Sequence, residues 1–462
     1  MKNKILFISL AVVLALSVGL IGCTPEEGLP PEAPDYIYIF ASRSVTGPLS
    51  VFEDTAMGPI YKYWRHVVNE VNGGIYVELY DETIPVYIDV KDDGSDMDTM
   101  TNYLHTNLVT EKYVAAIGPC CTPFLEAAGP IASLYGIPLV GAEGGCTSVA
   151  QEMDKYPYMF SNLAFSNWNQ VPTLCEILDE WATEESDGKV DVYILSIDDL
   201  FGVEYTGQFR EFSEPYDTIN ILGELKHPMF STAEVVGPHV ELAKAAGADV
   251  IILNTYPPTP FDAVGYAIEH GINFKGIVTG PAACYEGWYL TFGPNSVGVC
   301  GYGAWNEYSS TALADFAAGM IDYYEGRAIM DWWGGHYYYA GLQMLEEAIK
   351  EAGSLDPLEV RNVLASEKLD TILGQTWYTT YDGTFPIGAS GGLLAIASHV
   401  GEIGQWQHVT AANNWLPDGA TGTARAKPHG IGDATEYMIF EVIGPEGKTT
   451  ADWIYPKPDW VS

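Results

Sequence analysis

Basic residues are scarce in this chain: 21 lysines and arginines stand against 61 aspartates and glutamates, a formal net charge of −40 over 462 residues. So acidic a surface repels nucleic acid and anionic headgroups, which excludes nucleic acid as a partner. The signatures of nucleotide binding are missing too. No G-x-G-x-x-G follows the first strand, and there is no G-x-x-x-x-G-K. None of the nine histidines sits in H-E-x-x-H, and the seven cysteines include no C-x-x-C. A zinc site therefore lacks its ligands.

Three apparent motifs also fail. The cluster Asp92–Asp98 (DDGSDMD) has neither the sixth-position Gly nor the twelfth-position Glu of a calcium loop, and reads as helix-capping acid. Gly388–Gly392 matches G-x-S-x-G, but a turn precedes Ser390 and a strand-like run follows it, the wrong context for a nucleophile elbow. Adjacent carboxylates such as Asp198-Asp199 carry no information in so acidic a chain. No catalytic residue, metal or cofactor is expected.

What is present is globular: 47% hydrophobic and 13% aromatic residues, with length enough for at least two lobes. The chain is organised around Tyr113–Val149. Val114–Ile117 and Pro138–Val140 are short apolar runs bounded by turn residues, and Phe124–Tyr135 has the pattern of a crossover helix. Strands joined this way are parallel and end at one sheet edge. The loops Gly118–Thr122 and Gly141–Thr147 then sit side by side where open α/β sheets bind ligands. Their glycines and the helix start near Pro123 favour a small molecule with an anionic group.

Before this stretch, Tyr36–Ala41 and Pro85–Val90 read as strands, and Glu53–Val71 as a long helix. After it, strands at Val190–Ser196, Thr218–Leu225, Asp249–Asn254 and Gly276–Thr279 alternate with helices, a second βαβα block. Helices are expected at about 311–325, 336–351 and 357–365. From Gln375 the chain turns β-rich. The fold class is α/β, with two Rossmann-like lobes whose parallel sheets are flanked by helices.

Lys2 and Lys4 precede an apolar run, Ile5–Ile21, that ends in Leu20-Ile21-Gly22-Cys23. A basic start, an apolar stretch and small residues make a secretory signal. The Leu-x-Gly-Cys ending resembles the lipobox of bacterial lipoproteins, which implies removal of residues 1–22 and lipidation of Cys23. Residues 23–35, rich in Pro and Glu, form a tether. Six cysteines remain. Outside the cytosol, Cys120 or Cys121 can pair with Cys146, and Cys284 with Cys300, the full pairing among the six, Cys175 included, being open.

The order of elements and several loops resemble type I periplasmic substrate-binding proteins, the leucine/isoleucine/valine-binding family of ABC transporters. The residues are Thr46-Gly47-Pro48, Asp92-Asp93 with Asp96, Gly118-Pro119-x-x-Thr122, Gly136-Ile137-Pro138, Asp199-x-Phe201-Gly202 and Leu373-Gly374. The resemblance implies a hinge crossed three times, with lobe one at 36–163 and 305–370. Lobe two is then 164–304 and 371–462, including a C-terminal extension. It implies a cleft that closes on a solute. Cys121 and Thr122 would hold the ligand carboxylate, with Glu143, Gly144 and Gly145 in the second loop. Phe52 would be an aromatic wall, and Phe201 and Tyr256 would close from lobe two. The family's acid that pairs with the ligand ammonium falls on Ala282, so Glu286 or Glu143 supplies that charge or the ligand is no α-amino acid. The aromatics Tyr285, Trp288, Tyr302 and Trp305 suit an apolar or aromatic ligand.

The expected function is a lipid-anchored, monomeric, extracytoplasmic solute-binding protein that serves ABC permease subunits and is not an enzyme. The alternatives are an extracellular sensing module of the same fold, or a secreted hydrolase using Ser390.

Overall fold

The computed structural model describes residues 31–141, 156–161, 166–184, 188–303, 305, 309–325, 331–378, 401–408 and 438–461. Cys23, Glu143, Gly144, Gly145, Cys146, Thr147 and Ser390 lie outside them.

Two sheets organise the molecule. The first contains β1 (Ile37–Arg43), β2 (Val86–Asp92), β3 (Ala115–Ile117), β4 (Leu139–Gly141) and β5 (Met159–Ser161). Every pairing in it is parallel, and the strand order is β2-β1-β3-β4-β5. The sequence explains the burial. β1 is an almost unbroken apolar run and is buried along nearly its whole length, as a central parallel strand covered by helices must be. The covering elements are a helical run over residues 50–71 with its regular centre α1 at Gly58–His66, then α2 (Met97–Leu108) and α3 (Thr122–Tyr135). Asp96 accepts from Thr99 N at 2.7 Å and so caps α2, the role expected of that acidic cluster.

After α4 (Ser166–Glu184) the pattern repeats. The strands are β6 (Val190–Ile197), β7 (Ile219–His227), β8 (Val250–Asn254), β9 (Gly276–Thr279) and β10 (Val299–Tyr302). They are parallel in the order β7-β6-β8-β9-β10. Their helices are α5 (Leu200–Ser213), α6 (Ala233–Ala245), α7 (Thr259–Glu269) and the short α8 (Glu286–Phe292). The α/β reading holds, with two parallel-sheet cores flanked by helices. β10 is absent from the sequence reading because Val-Cys-Gly-Tyr is a run of only four residues interrupted by Gly301, and is held by its neighbours on both sides.

The chain then returns to the first sheet. α9 (Thr311–Tyr323) and α10 (Gly335–Ala352) pack on α1, and α11 (Pro357–Ser366) packs on α10. The C-terminal segment crosses back again. β11 (Ile403–His408) adds antiparallel to β10, and β12 (Met438–Gly444) adds antiparallel to β11. Beyond them Tyr455 stacks on buried Trp181 at 4.5 Å, and Trp460 Nε1 donates to Ile272 O at 2.8 Å. The extension is thus part of the second sheet, closing an edge that would otherwise be open. Among the described residues, no helix is long and apolar enough to cross a membrane.

Candidate functional site

Both sheets have a topological switch point, between β1 and β3 in the first and between β6 and β8 in the second. Loops leaving the carboxyl ends of strands separate there and leave a crevice.

In the first sheet, β3 runs into Gly118, whose N–H donates to Val140 O at 2.7 Å. A Cβ on Gly118 would lie 2.9 Å from Gly141 Cα and 3.0 Å from Leu125 Cδ1. Only glycine lets the two loops begin in contact, as the sequence predicts. Cys121 then turns the chain with φ +60°, and Thr122, almost fully buried, opens α3. No side-chain cap closes this helix, and the Thr122 N–H and hydroxyl at its start lie beside Tyr256 Oη. The loop is held from below by Arg43, which is fully buried. Its Nη1 donates to Gly118 O at 2.7 Å and its Nε to Glu53 Oε2 at 3.0 Å. Tyr61 Oη donates to the other Glu53 oxygen at 2.5 Å. Nothing in the sequence marked Arg43, whose partners lie 10 and 75 residues away.

In the second sheet, β6 ends at Ile197 and Asp199 caps α5, its Oδ1 accepting from Gly202 N at 3.0 Å. Burial lifts the Asp199 carboxyl above its ordinary range, against the Gly202 N–H that lowers it. Gly202 is obligatory at the turn, since a Cβ there would fall 1.9 Å from Ile197 O. β8 ends at Asn254, fixed by Tyr302 Oη at 2.5 Å and by Ser196 Oγ at 3.3 Å. Tyr256, two residues on, stacks on Phe201 with ring centroids 5.3 Å apart.

The two rims meet. Phe52, at the start of the first helical run, stands edge-on to Tyr256 at 6.0 Å and to Tyr285 at 6.3 Å. α3 and α5 are neighbours across the same gap. Tyr256 Oη is buried near the Asp199 carboxylate and the Thr122 hydroxyl and N–H, yet has no partner in hydrogen-bond geometry. Burial, with Asp199 and Cys121 beside it, raises its ionisation well above that of an ordinary phenol. Phe52, Cys121, Thr122, Phe201 and Tyr256 are therefore brought together.

Trp333 joins this cluster, 6.4 Å from Phe52, and sequence reasoning missed it. It is placed by Asp331, whose Oδ1 accepts from Trp333 N at 2.8 Å where the chain re-enters the first unit. Asp331 is buried, and burial raises its carboxyl pKa to about 7 despite the N–H groups of Trp333, Gly334 and Gly335. A carboxyl with a higher pKa folded than unfolded keeps its proton in the native state alone over the intervening range. Its contribution is therefore favourable at low pH and is lost as pH rises from about 4 to about 7. Asp331→Asn is expected to gain melting temperature relative to the parent across this range, and most above pH 7, in paired thermal scans. Equal pH profiles would show that Asp331 is not the group that titrates.

Other expected residues lie elsewhere. Ala282 is buried in the turn Pro281–Cys284, with no acid in its place. Trp406 Nε1 from the C-terminal hairpin donates to Ala283 O at 2.7 Å and pins that turn. Glu286 begins α8 and is largely buried. Trp288 packs on Phe261 and Phe292, Tyr302 on Tyr205, and Trp305 on Phe316 and His336. Of the proposed aromatics only Tyr285 reaches the cluster; the others are core. The expected Cys284–Cys300 disulfide is absent. Both thiols are free, with Cys284 Sγ turned toward Gly303 O at 3.3 Å and Cys300 Sγ taking Gln405 Nε2 at 3.4 Å. Cys120, Cys121 and Cys175 are also free and buried.

A family model described as periplasmic binding protein matches residues 63–389. The chain belongs to the periplasmic binding protein family. Solved structures of the same fold agree. A solute-binding protein of an ABC transporter from Rhodopseudomonas palustris BisB5, in complex with 3,4-dihydroxybenzoic acid, superposes with TM-score 0.64 at 16% identity, covering 81% of this chain and 94% of that one. A leucine-binding protein from Thermotoga maritima gives TM-score 0.61 at 14% identity, covering 80% and 95%. A further R. palustris ABC transporter solute-binding protein, in complex with 4-hydroxybenzoate, gives 0.62 at 16% identity, covering 92% and 99%. In this periplasmic binding protein, the rims of the two parallel sheets meet through Phe52, Phe201 and Tyr256.

Proposed function

We propose that this protein is the solute-binding component of an ABC importer and captures a small organic solute by hinge closure between two lobes. The observation that carries this reading is the meeting of the two switch points, with Phe52 and Thr122 on one side and Phe201 and Tyr256 on the other. Lobe one is residues 36–163 and 305–370; lobe two is 164–304 and 371–462. The ligand carboxylate is received by the start of α3, at Cys121 and Thr122; Glu143, Gly144 and Gly145 belong to the second ligand-contacting loop, with Glu143 one candidate to pair with an ammonium. The aromatic rings exclude water from its apolar body. That relatives bind leucine, dihydroxybenzoate and hydroxybenzoate supports a carboxylate-bearing ligand of this size. The protein binds and releases without chemistry. It acts as a monomer outside the cytoplasm, anchored by lipid on Cys23, and passes its solute to permease subunits.

The test is tryptophan fluorescence of unfolded-and-refolded, ligand-free protein titrated with amino acids, amides and aromatic acids, with X-ray scattering on any hit. Saturable quenching or enhancement together with compaction is expected. No response from folded protein to any solute would overturn the reading.

A further inference from the structure

Two adjacent thiols stand at the rim where the sheets meet. Cys120 and Cys121 lie between β3 and α3, both free and almost fully buried. Cys120 Sγ lies 3.8 Å from Ser44 Oγ, and Ser44 in turn donates to Asp93 Oδ1 at 2.7 Å. Cys121 has φ +60° and ψ 156°, a conformation that belongs almost wholly to glycine and strains any other residue. Glycine would relieve that strain. What cysteine adds there is a thiol beside a second thiol. The cover over Cys121 comes from the opposite sheet, where Asp199 and Tyr256 are its neighbours. By contrast, the Cys175 and Cys300 thiols face Tyr205 and Gln405 of their own unit. Burial, and after it the Cys120 thiol, holds the Cys121 thiol well above its ordinary ionisation. It is inert while the rims touch, and parting them returns it to water.

We infer that Cys120 and Cys121 form a thiol-modification site that takes small-molecule disulfides and closes to a reversible vicinal disulfide, and that bound solute opposes this reaction. The second half rests on the solute-binding reading above. With the gap open, Cys121 loses its proton to water and its thiolate attacks one sulfur of the small disulfide. The S–S bond breaks, and the departing thiolate takes up a proton. Cys120 then loses its proton and attacks Cys121 Sγ, expelling the second small thiolate, which is protonated in turn. Two protein thiols are oxidised, and one disulfide is reduced to two thiols. Neighbouring Cα atoms are about 3.8 Å apart, against roughly 4.4–6.8 Å in ordinary disulfides, so the bond is strained and easily reduced. That suits a reversible modification better than a structural staple. Closing the ring draws Cys120 Sγ off Ser44 and turns Cys121, which moves Thr122 from its place beside Tyr256.

The test starts from purified, solute-free protein, reduced and then equilibrated with mixtures of reduced and oxidised glutathione. After acid quenching and denaturation the remaining thiols are alkylated. Chymotryptic cleavage after Phe124 and Tyr135 separates Cys120-Cys121 from Cys146 for mass spectrometry. The parent is expected to give a Cys120-Cys121 peptide that carries no alkyl group and lacks two hydrogens. Cys120→Ser and Cys121→Ser should give only a mixed glutathione disulfide on the remaining thiol. Saturation with a solute from the screen should raise the oxidised-to-reduced glutathione ratio at half-oxidation by about tenfold or more. The oxidised protein should bind that solute more weakly by the same factor. Thiols that stay reduced in the most oxidising mixture, a bond to Cys146, or glutathione adducts alone on the parent would overturn the inference and leave solute binding untouched. A midpoint that bound solute does not move would overturn it as well. If no solute binds, the solute-binding reading and the second half of the inference fail together, while the mass measurement still decides the vicinal bond.

Discussion

Arg43→Ala lowers the unfolding free energy by about 3–5 kcal/mol, the usual cost of removing one partner from a buried ion pair. Arg43 is fully inaccessible, and Glu53 is nearly so. Without the guanidinium, Glu53 keeps only Tyr61 and the exposed Lys62, whose Nζ stands 3.8 Å away. Gly118 O loses its 2.7 Å donor at the same time. The measurement is the urea midpoint, read at an unchanged slope. Arg43→Met combined with Glu53→Leu separates charge from packing. Replacing both members of a buried pair with apolar residues is often neutral or stabilising, so the double variant should recover most of the loss. It should not recover ligand binding, because the carbonyl of Gly118 still lacks its anchor. A single variant within about 1 kcal/mol of the parent would place Arg43 outside the stability of this rim.

This pairing marks where reading the sequence stops. β1, β3 and the crossover α3 were legible because short apolar runs between glycine and proline admit few alternatives. The nearness of Phe201 to Tyr256 followed from topology, since parallel strands end at one edge, while their meeting with Thr122 from the other sheet was an expectation of the family resemblance. Arg43 was not legible. Ala-Ser-Arg at a strand end looks like the start of a solvated loop, and only the return of β3 alongside β1 seals it. Trp333 and Asp331 were hidden for the same reason. They enter the cluster at a chain crossing more than 200 residues from Phe52, where local pattern carries no signal. The C-terminal hairpin read as β-rich, but its pairing with β10 depends on Gln405 facing Cys300 across an antiparallel register. The Cys284–Cys300 pairing failed because even numbers and a secreted context constrain redox state, not side-chain direction.

Tyr256→Ala weakens binding of any solute found in the screen by about 30- to 1,000-fold, equivalent to about 2–4 kcal/mol for a central aromatic anchor. Tyr256 is 6% exposed, stacked on Phe201 on its own side and edge-on to Phe52 on the other. It is the side chain through which the two rims touch most directly, so its removal acts twice. The ligand loses an apolar wall, and the closed arrangement loses a contact it has even without ligand. A ligand binds with an affinity reduced by the fraction of molecules able to receive it, so a smaller closed population weakens binding further. Tyr256→Phe separates the ring from the hydroxyl. It keeps both aromatic contacts and removes only Oη, so it should cost no more than about tenfold. Isothermal titration gives the affinities, and scattering profiles of ligand-free protein give the closed fraction. If Tyr256→Ala binds within about threefold of the parent and scatters identically, the solute does not lie between these rims, and the cleft must take it elsewhere along the gap.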